Sequence, residues 1–291
     1  MNASEKKEGQ NVNPNLEALF QALPHLQELT SDMLAEISRL HDDIEAEFGD
    51  PAQNVEVIKN DFLRLYNAVP QDSPLKSSRQ YDSRQIYNTP YFAARDRDYL
   101  ENLYYNQPES LQNWVDYLLN NSFWPYLSNL NGELISGGLK SQSSLAERLA
   151  SKNKKGEPES IIHARDLMRG RFIGESLKDV QDAVQIFRET SMPHVVAFFN
   201  YYAHLFRDWR ADYRPKPYVA ANFTFAIDPN LTFELQCMTR RAHIIGELDH
   251  PVMVKKKVTL TPENHNRLVA LGWGSHLHDF REFLGPSSAT S

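Results

Sequence analysis

The segment YVAANFTFAI (218–227) is followed, three residues later, by LTFELQCMT (231–239), and this pairing constrains the fold more than any other part of the chain. Both segments alternate with period two and are rich in β-branched and aromatic residues, as half-buried strands are. Asp228-Pro229-Asn230 between them is a turn-forming triplet, so an antiparallel hairpin is predicted. On the second strand Leu231, Phe233, Leu235 and Cys237 form a face that must pack on a helix. Thr232, Glu234, Gln236 and Met238 form the other. On the first strand Tyr218, Asn222 and Thr224 oppose Val219, Phe223 and Phe225. Glu234 is therefore expected on a polar sheet face and not in the core.

Upstream, ARDLMRGRFIG (164–174) reads as a third strand. A helix follows to about Thr190, with Leu177, Val180, Val184 and Phe187 on one face. Ser176 caps it, with Asp179 as the partner of a capping box. SQSSLAERLASK (141–152) is helical, and another helix starts near Arg240. Strand, helix and hairpin together give a mixed sheet flanked by helices, an α+β fold. The first half is mainly helical. A run over 15–48 is broken at Pro24 and stopped at Gly49-Asp50-Pro51, and further helices are expected at 53–68, 96–106 and 109–129. Residues 70–92 read as a long loop. The expected organisation is a disordered tail (1–14), a helical N-terminal region (15–130), a sheet-bearing domain (131–275) and a C-terminal tail (276–291).

The longest apolar runs are as short as VVAFF (195–199), so no membrane span is expected. The first residues lack an apolar signal segment, and the single cysteine excludes an intramolecular disulfide framework. A cytoplasmic location is the expectation, with Cys237 a packing residue. Charge is unevenly spread: residues 1–130 carry 10 Lys+Arg against 20 Asp+Glu, residues 131–291 carry 21 against 18. The basic residues of the second half cluster at 152–155, 165–171, 207–216 and 255–257, which suits an anionic ligand such as phosphate. No Gly-rich phosphate loop and no Ser/His/Asp elbow is present. His41-Asp42-Asp43 lies on an amphipathic helix without partner histidines and reads as surface.

Four blocks in order, GGLKSQSSLAERL, RDLMRGRF, DYRPKPYVAANFTF and FELQCMTRRAH with LDH beyond it, carry a resemblance to the synthetase domain of the RelA/SpoT family, most closely to small alarmone synthetases. It covers about residues 131–257. The resemblance implies a nucleotidyltransferase-like mixed sheet and transfer of pyrophosphate from ATP to the 3′-hydroxyl of a purine nucleotide. It implies Asp166 and Glu234 as the catalytic pair that holds Mg²⁺. Lys140, Ser144, Arg148, Arg169 and Arg171 fall to ATP, and Arg214, Lys216, Tyr218, Asn222, Gln236 and His243 to the acceptor.

The chemistry suits these residue types. Phosphoryl-type transfer needs charge neutralised on the moving oxygens and a nucleophile in line. Two carboxylates can share Mg²⁺, and Glu234 can take the proton of the attacking hydroxyl. Lys140 and Arg148 lie eight residues apart, about two helical turns, and so share one side of their segment.

The sequence also departs from the family pattern. The arginine expected two residues before Lys140 is Gly138, so Arg165, Arg169 or Lys152 must replace it. Ala220, Asn222, Pro217 and Met238 stand where serine, histidine, glycine and arginine are usual. In an ideal strand Asp166 and Arg171 point to opposite faces, so either Asp166 precedes the strand or the strand carries a bulge. A metal-dependent hydrolase block is absent, which implies unopposed synthesis, a growth-inhibiting role and a neutralising antitoxin partner. The tRNA 3′-CCA end is a second acceptor to weigh, and a degenerate nucleotide-binding module a third reading. Homo-oligomerisation is left open by the sequence.

Overall fold

The computed structural model describes residues 13–23, 26, 29–76, 94–154, 160–189, 195–204, 219–250, 252 and 258–285. These fall into two compact units. One holds the first three helices and the chain from Arg241 onward; the other holds the sheet and the helices around it.

In the helical unit the predicted run over 15–48 is two helices, α1 (Pro14–Gln21) and α2 (Ser31–Phe48). Each begins at a side-chain cap: Asn13 accepts from the Asn15 amide and Thr30 from the Met33 amide. Gly49, with φ of 75°, ends α2. α3 (Val55–Ala68) packs on the last helix of the chain through Phe62, whose ring lies 5.3 Å from Trp273 and 5.1 Å from Phe280. The C-terminal tail expected from residue 276 is instead the second half of that last helix, which runs Pro262–Leu284 and buries Leu277 and Phe280. Its start was signalled by Thr261, whose hydroxyl accepts from the Asn264 amide, and by Pro262 at the first helical position. His41 is a second correction: it is fully buried, not at the surface, and burial lowers its pKa.

The sheet unit opens with a 3₁₀ turn (Pro74–Lys76), then α4 (Arg97–Asn106), α5 (Pro108–Leu118), a π turn (Leu119–Phe123) and α6 (Trp124–Leu127). Next come β1 (Gly132–Leu139), α7 (Gln142–Lys154), a 3₁₀ turn (Ile161–His163), β2 (Met168–Gly174), α8 (Leu177–Glu189), β3 (Val195–Asn200) and the short α9 (Tyr201–His204). The hairpin β4 (Ala221–Ala226) and β5 (Thr232–Thr239) completes it. β5 leads straight into α10 (Arg240–Asp249), and α11 (Pro262–Leu284) is the last helix.

The strand order is β1-β2-β5-β4-β3, with β2 and β5 parallel and the other pairs antiparallel. The mixed α+β architecture expected from the sequence is thus present. So is the hairpin: Asp228 Oδ1 accepts from the amides of Asn230 (2.6 Å) and Leu231 (2.7 Å) and closes the turn. So is the capping box of α8, in which Ser176 and Asp179 bond each other's amides. The two edge strands, β1 and β3, had not been expected.

The apolar face is packed as the alternation demands. Phe223, Phe225 and Phe233 meet Phe187 of α8 and Phe123, whose ring centroid is 5.0 Å from that of Phe233. Gly170 is required by this packing, because a Cβ there would lie 2.6 Å from Leu119. Burying this face removes water from β2, β4 and β5 together and fixes which residues the opposite face presents.

Candidate active site

The opposite face is polar. Arg169 of β2 is in register with Glu234 of β5, and Arg171 with Gln236. Across the other edge of β5, Thr224 pairs with Glu234 and Asn222 with Gln236. Gln236 Nε2 donates to Glu234 Oε1 at 2.8 Å, and Arg171 Nε donates to Gln236 Oε1 at 3.3 Å. Among the described residues, the buried Asn222 Oδ1 has no hydrogen-bond partner, leaving an acceptor on this face.

Asp166 lies in the segment that enters β2, two residues before Met168. This settles its relation to Arg171: the carboxylate precedes the strand, and the irregularity in the ladder is in β1, between Ser136 and Gly138. Lys140 Nζ and Arg148 Nη1 both bond the Asp166 carboxylate, the latter at 2.7 Å. Lys140 is held at the end of β1 by its amide, which donates to Leu167 O at 2.9 Å, and by its carbonyl, which accepts from the Tyr104 hydroxyl. Arg148 reaches Asp166 from α7, whereas Lys140 lies before that helix, so the two do not share a helix side as the eight-residue spacing had suggested.

The two carboxylates titrate in opposite directions. Burial works against ionised Asp166, but Arg148 and Lys140 outweigh it and hold its pKa below the usual carboxylate value. Glu234 is raised, first by burial and then by the negative charge of Asp166; Arg165 and the Gln236 hydrogen bond offset only part of this. The charge of Asp166 disfavours ionised Glu234, a repulsion that a cation held by both would relieve, and the donors are hard oxygens of the kind Mg²⁺ takes. Asp166 and Glu234 thus suit a divalent cation.

Cations surround the pair. Arg169 Nη2 donates to Leu139 O at 3.2 Å and lies across from Gly138, while the Arg165 guanidinium stands 4.5 Å from the Phe199 ring centroid. Gly138 has φ of 62°, a conformation that side-chain-bearing residues rarely adopt. The backbone therefore disfavours arginine at this position, and Arg169 brings a guanidinium to the same stretch from the neighbouring strand. The side chain of Lys152, the third candidate for that role, lies outside the described residues.

Of the other predicted site residues, Ser144 sits on the first turn of α7, where its Oγ accepts from Ser141 Oγ at 2.9 Å. Arg214, Lys216 and Tyr218 lie outside the described residues. His243 is buried in α10, in the helical unit. Tyr104 was not anticipated; burial pushes its hydroxyl up to about 12, so it stays a proton donor to the Lys140 carbonyl. Its only signal in the sequence is an aromatic position on an amphipathic helix, which does not separate a site tyrosine from a core one.

No protein-family model matches the sequence, and no curated protein does. Among solved structures, the chain is similar to a GTP pyrophosphokinase family protein from Streptococcus pneumoniae, at 15% identity and a TM-score of 0.45 over 67% of this chain and 97% of that one. It is similar to small alarmone synthetase 2 from Bacillus subtilis at 15% identity and a TM-score of 0.47, over 62% and 97% of the two chains. Small alarmone synthetase 1 from the same organism, bound to its product pppGpp, gives 15% and 0.43 over 65% and 96%. At these values the functional reading rests on the residues of the site itself.

Proposed function

We propose that this chain is an ATP-dependent pyrophosphokinase that transfers the β,γ-diphosphate of ATP to the 3′-hydroxyl of a purine nucleotide. The observation that carries the reading is the joint placement of Asp166 and Glu234 beside one another at β2 and β5, ringed by Lys140, Arg148, Arg169 and Arg171. A polar sheet face with paired carboxylates and four cations is costly to build and suits a polyphosphate and its metal.

In the reaction the acceptor 3′-oxygen attacks the β-phosphorus of ATP, the bond from that phosphorus to the α–β bridging oxygen breaks, and AMP leaves. Asp166 and Glu234 would hold Mg²⁺, which would supply charge neutralisation on the transferring phosphates. Glu234 accepts the proton of the 3′-hydroxyl. Lys140 and Arg148 exchange the Asp166 carboxylate for ATP phosphates. Arg169 takes the place of the arginine that the backbone disfavours at Gly138. Asn222 and Gln236 offer hydrogen bonds toward the acceptor.

The test incubates the full chain with Mg²⁺ and γ-labelled ATP, in parallel with GDP, GTP, ADP or total tRNA. Label is expected in a purine nucleotide and absent with Glu234→Gln. Label in tRNA alone would replace the nucleotide acceptor with the 3′-CCA end. No transfer by a folded, ATP-binding chain would sink the proposal in favour of a binding module. With a nucleotide acceptor, expression of the wild type but not of Glu234→Gln is expected to slow growth, and a co-expressed antitoxin to relieve it.

A further inference from the structure

Arg95 stands just ahead of α4 and is 5% exposed. A buried guanidinium has to place its N–H donors on acceptors, since each unmet donor costs roughly 1–3 kcal/mol. Arg95 places them on backbone carbonyls of two separate segments. Nε donates to Asn230 O at 2.6 Å, and Nη1 donates to Ile162 O at 2.6 Å and Ala164 O at 3.1 Å. Ile162 lies in the 3₁₀ turn Ile161–His163 and Ala164 follows it, two residues before Asp166. Asn230 ends the hairpin turn that leads into β5 and Glu234.

The neighbouring residue reinforces the bracket. The Asp96 amide donates to Asn230 Oδ1 at 2.6 Å, and the Asp96 carboxylate caps α4 by accepting from the Tyr99 amide at 3.0 Å. The guanidinium is therefore anchored to a helix start on one side and spans the two approaches to the carboxylates on the other. Its planar fork suits this task, whereas an ammonium offers a point charge.

We infer that Arg95 is a positioning residue that sets the placement of Asp166 relative to Glu234, and so the metal site they form. The inference rests on the pyrophosphokinase reading for its effect on turnover, but its effect on metal binding can be read without it.

The test compares full-length wild type, Arg95→Ala, Arg95→Lys and a stability-matched core variant, Phe187→Leu. Mn²⁺ affinity of the nucleotide-free protein, from loss of the free-ion EPR signal, is expected to weaken about tenfold in Arg95→Ala and less in Arg95→Lys. Turnover is expected to fall about 100-fold in Arg95→Ala with KM for ATP little changed. Methylguanidinium is expected to restore both in Arg95→Ala and neither in Phe187→Leu. If Arg95→Ala does not fold, Arg95→Lys carries the Mn²⁺ measurement. Unchanged Mn²⁺ affinity in a folded Arg95 variant overturns the inference. So does a loss that Phe187→Leu reproduces and methylguanidinium does not repair. A wild type that binds Mn²⁺ but transfers nothing counts against the proposed reaction alone.

Discussion

The entry to β2 and the middle of β5 each contribute one carboxylate, and they solve the cost of a partly buried acid in opposite ways. Asp166 is neutralised within the protein: Lys140 and Arg148 both bond it, and its pKa is lowered despite burial. Glu234 accepts only the weak help of Gln236 and distant arginines, and its pKa is raised. One acid is held and the other is left reactive. In the proposed reaction the group that takes a proton has to be left basic, and the fold bears that cost at β5 while stabilising the entry to β2.

Turnover gives the largest effect and the bluntest test of this contrast. Glu234→Gln and Asp166→Asn are each expected to lower transfer by about 1,000-fold or more, since one removes the base and both remove a metal oxygen. Transfer by Glu234→Gln within tenfold of wild type would deny it the role of base.

Stability separates the two acids more sharply. Asp166→Asn leaves Lys140 and Arg148 close together without their counter-charge. Because the Asp166 side chain is 16% exposed, a loss of about 1–3 kcal/mol is expected, less than for a fully buried pair. Glu234→Gln relieves a charge that folding disfavours, and a gain of up to about 1 kcal/mol is expected. Urea unfolding at neutral pH reads both. Losses of equal size in the two variants would erase the distinction.

The pH dependence of those differences follows from the directions of the shifts. Asp166 is lowered in the folded chain, so the stability it contributes is present above its ordinary value of 3.8 and is lost as pH falls through the folded pKa. The gap between wild type and Asp166→Asn should therefore be flat at neutral pH and close in acid. Glu234 is raised above its ordinary value of 4.5, so its penalty is absent below that value and grows as pH rises through the folded pKa. The advantage of Glu234→Gln should appear over that upper window and level off beyond it. Parallel curves for the two variants would show that their environments do not differ.

Much of β5 and its role was legible in the sequence. Strict alternation over LTFELQCMT separates the face that meets Phe123 from the face that carries Glu234, and Asp228 closes the turn by a local bond that needs no tertiary context. The entry to β2 was less so. The sequence placed Asp166 within or just before a strand, because periodicity does not say where a ladder begins. β1 was missed because GELISGGL holds three glycines and little alternation, and it is stabilised by pairing with β2. β3 shows only a short apolar run, which fits a buried strand or a helix turn equally. Tyr104 and Arg95 act on backbone carbonyls distant in sequence, and no spacing rule reveals such partners.

The smallest expected effect concerns Gly138 of β1, and it tests why glycine stands at this position. A Cβ at this position would meet only Gln112 Oε1, at 3.8 Å, so space is not the constraint. The constraint is φ of 62°, which costs a residue with a side chain about 1 kcal/mol. Gly138→Ala should destabilise by about that amount and Gly138→Asn by less, because asparagine tolerates the left-handed region. A β-branched residue, Gly138→Val, should cost more than either. If Ala, Asn and Val are equally tolerated, the backbone does not dictate glycine here, and the absence of arginine needs another cause. If the order holds, the bulge between Ser136 and Gly138 disfavours the arginine, and Arg169, whose guanidinium bonds the Leu139 carbonyl next to it, is the residue to substitute when ATP affinity is measured.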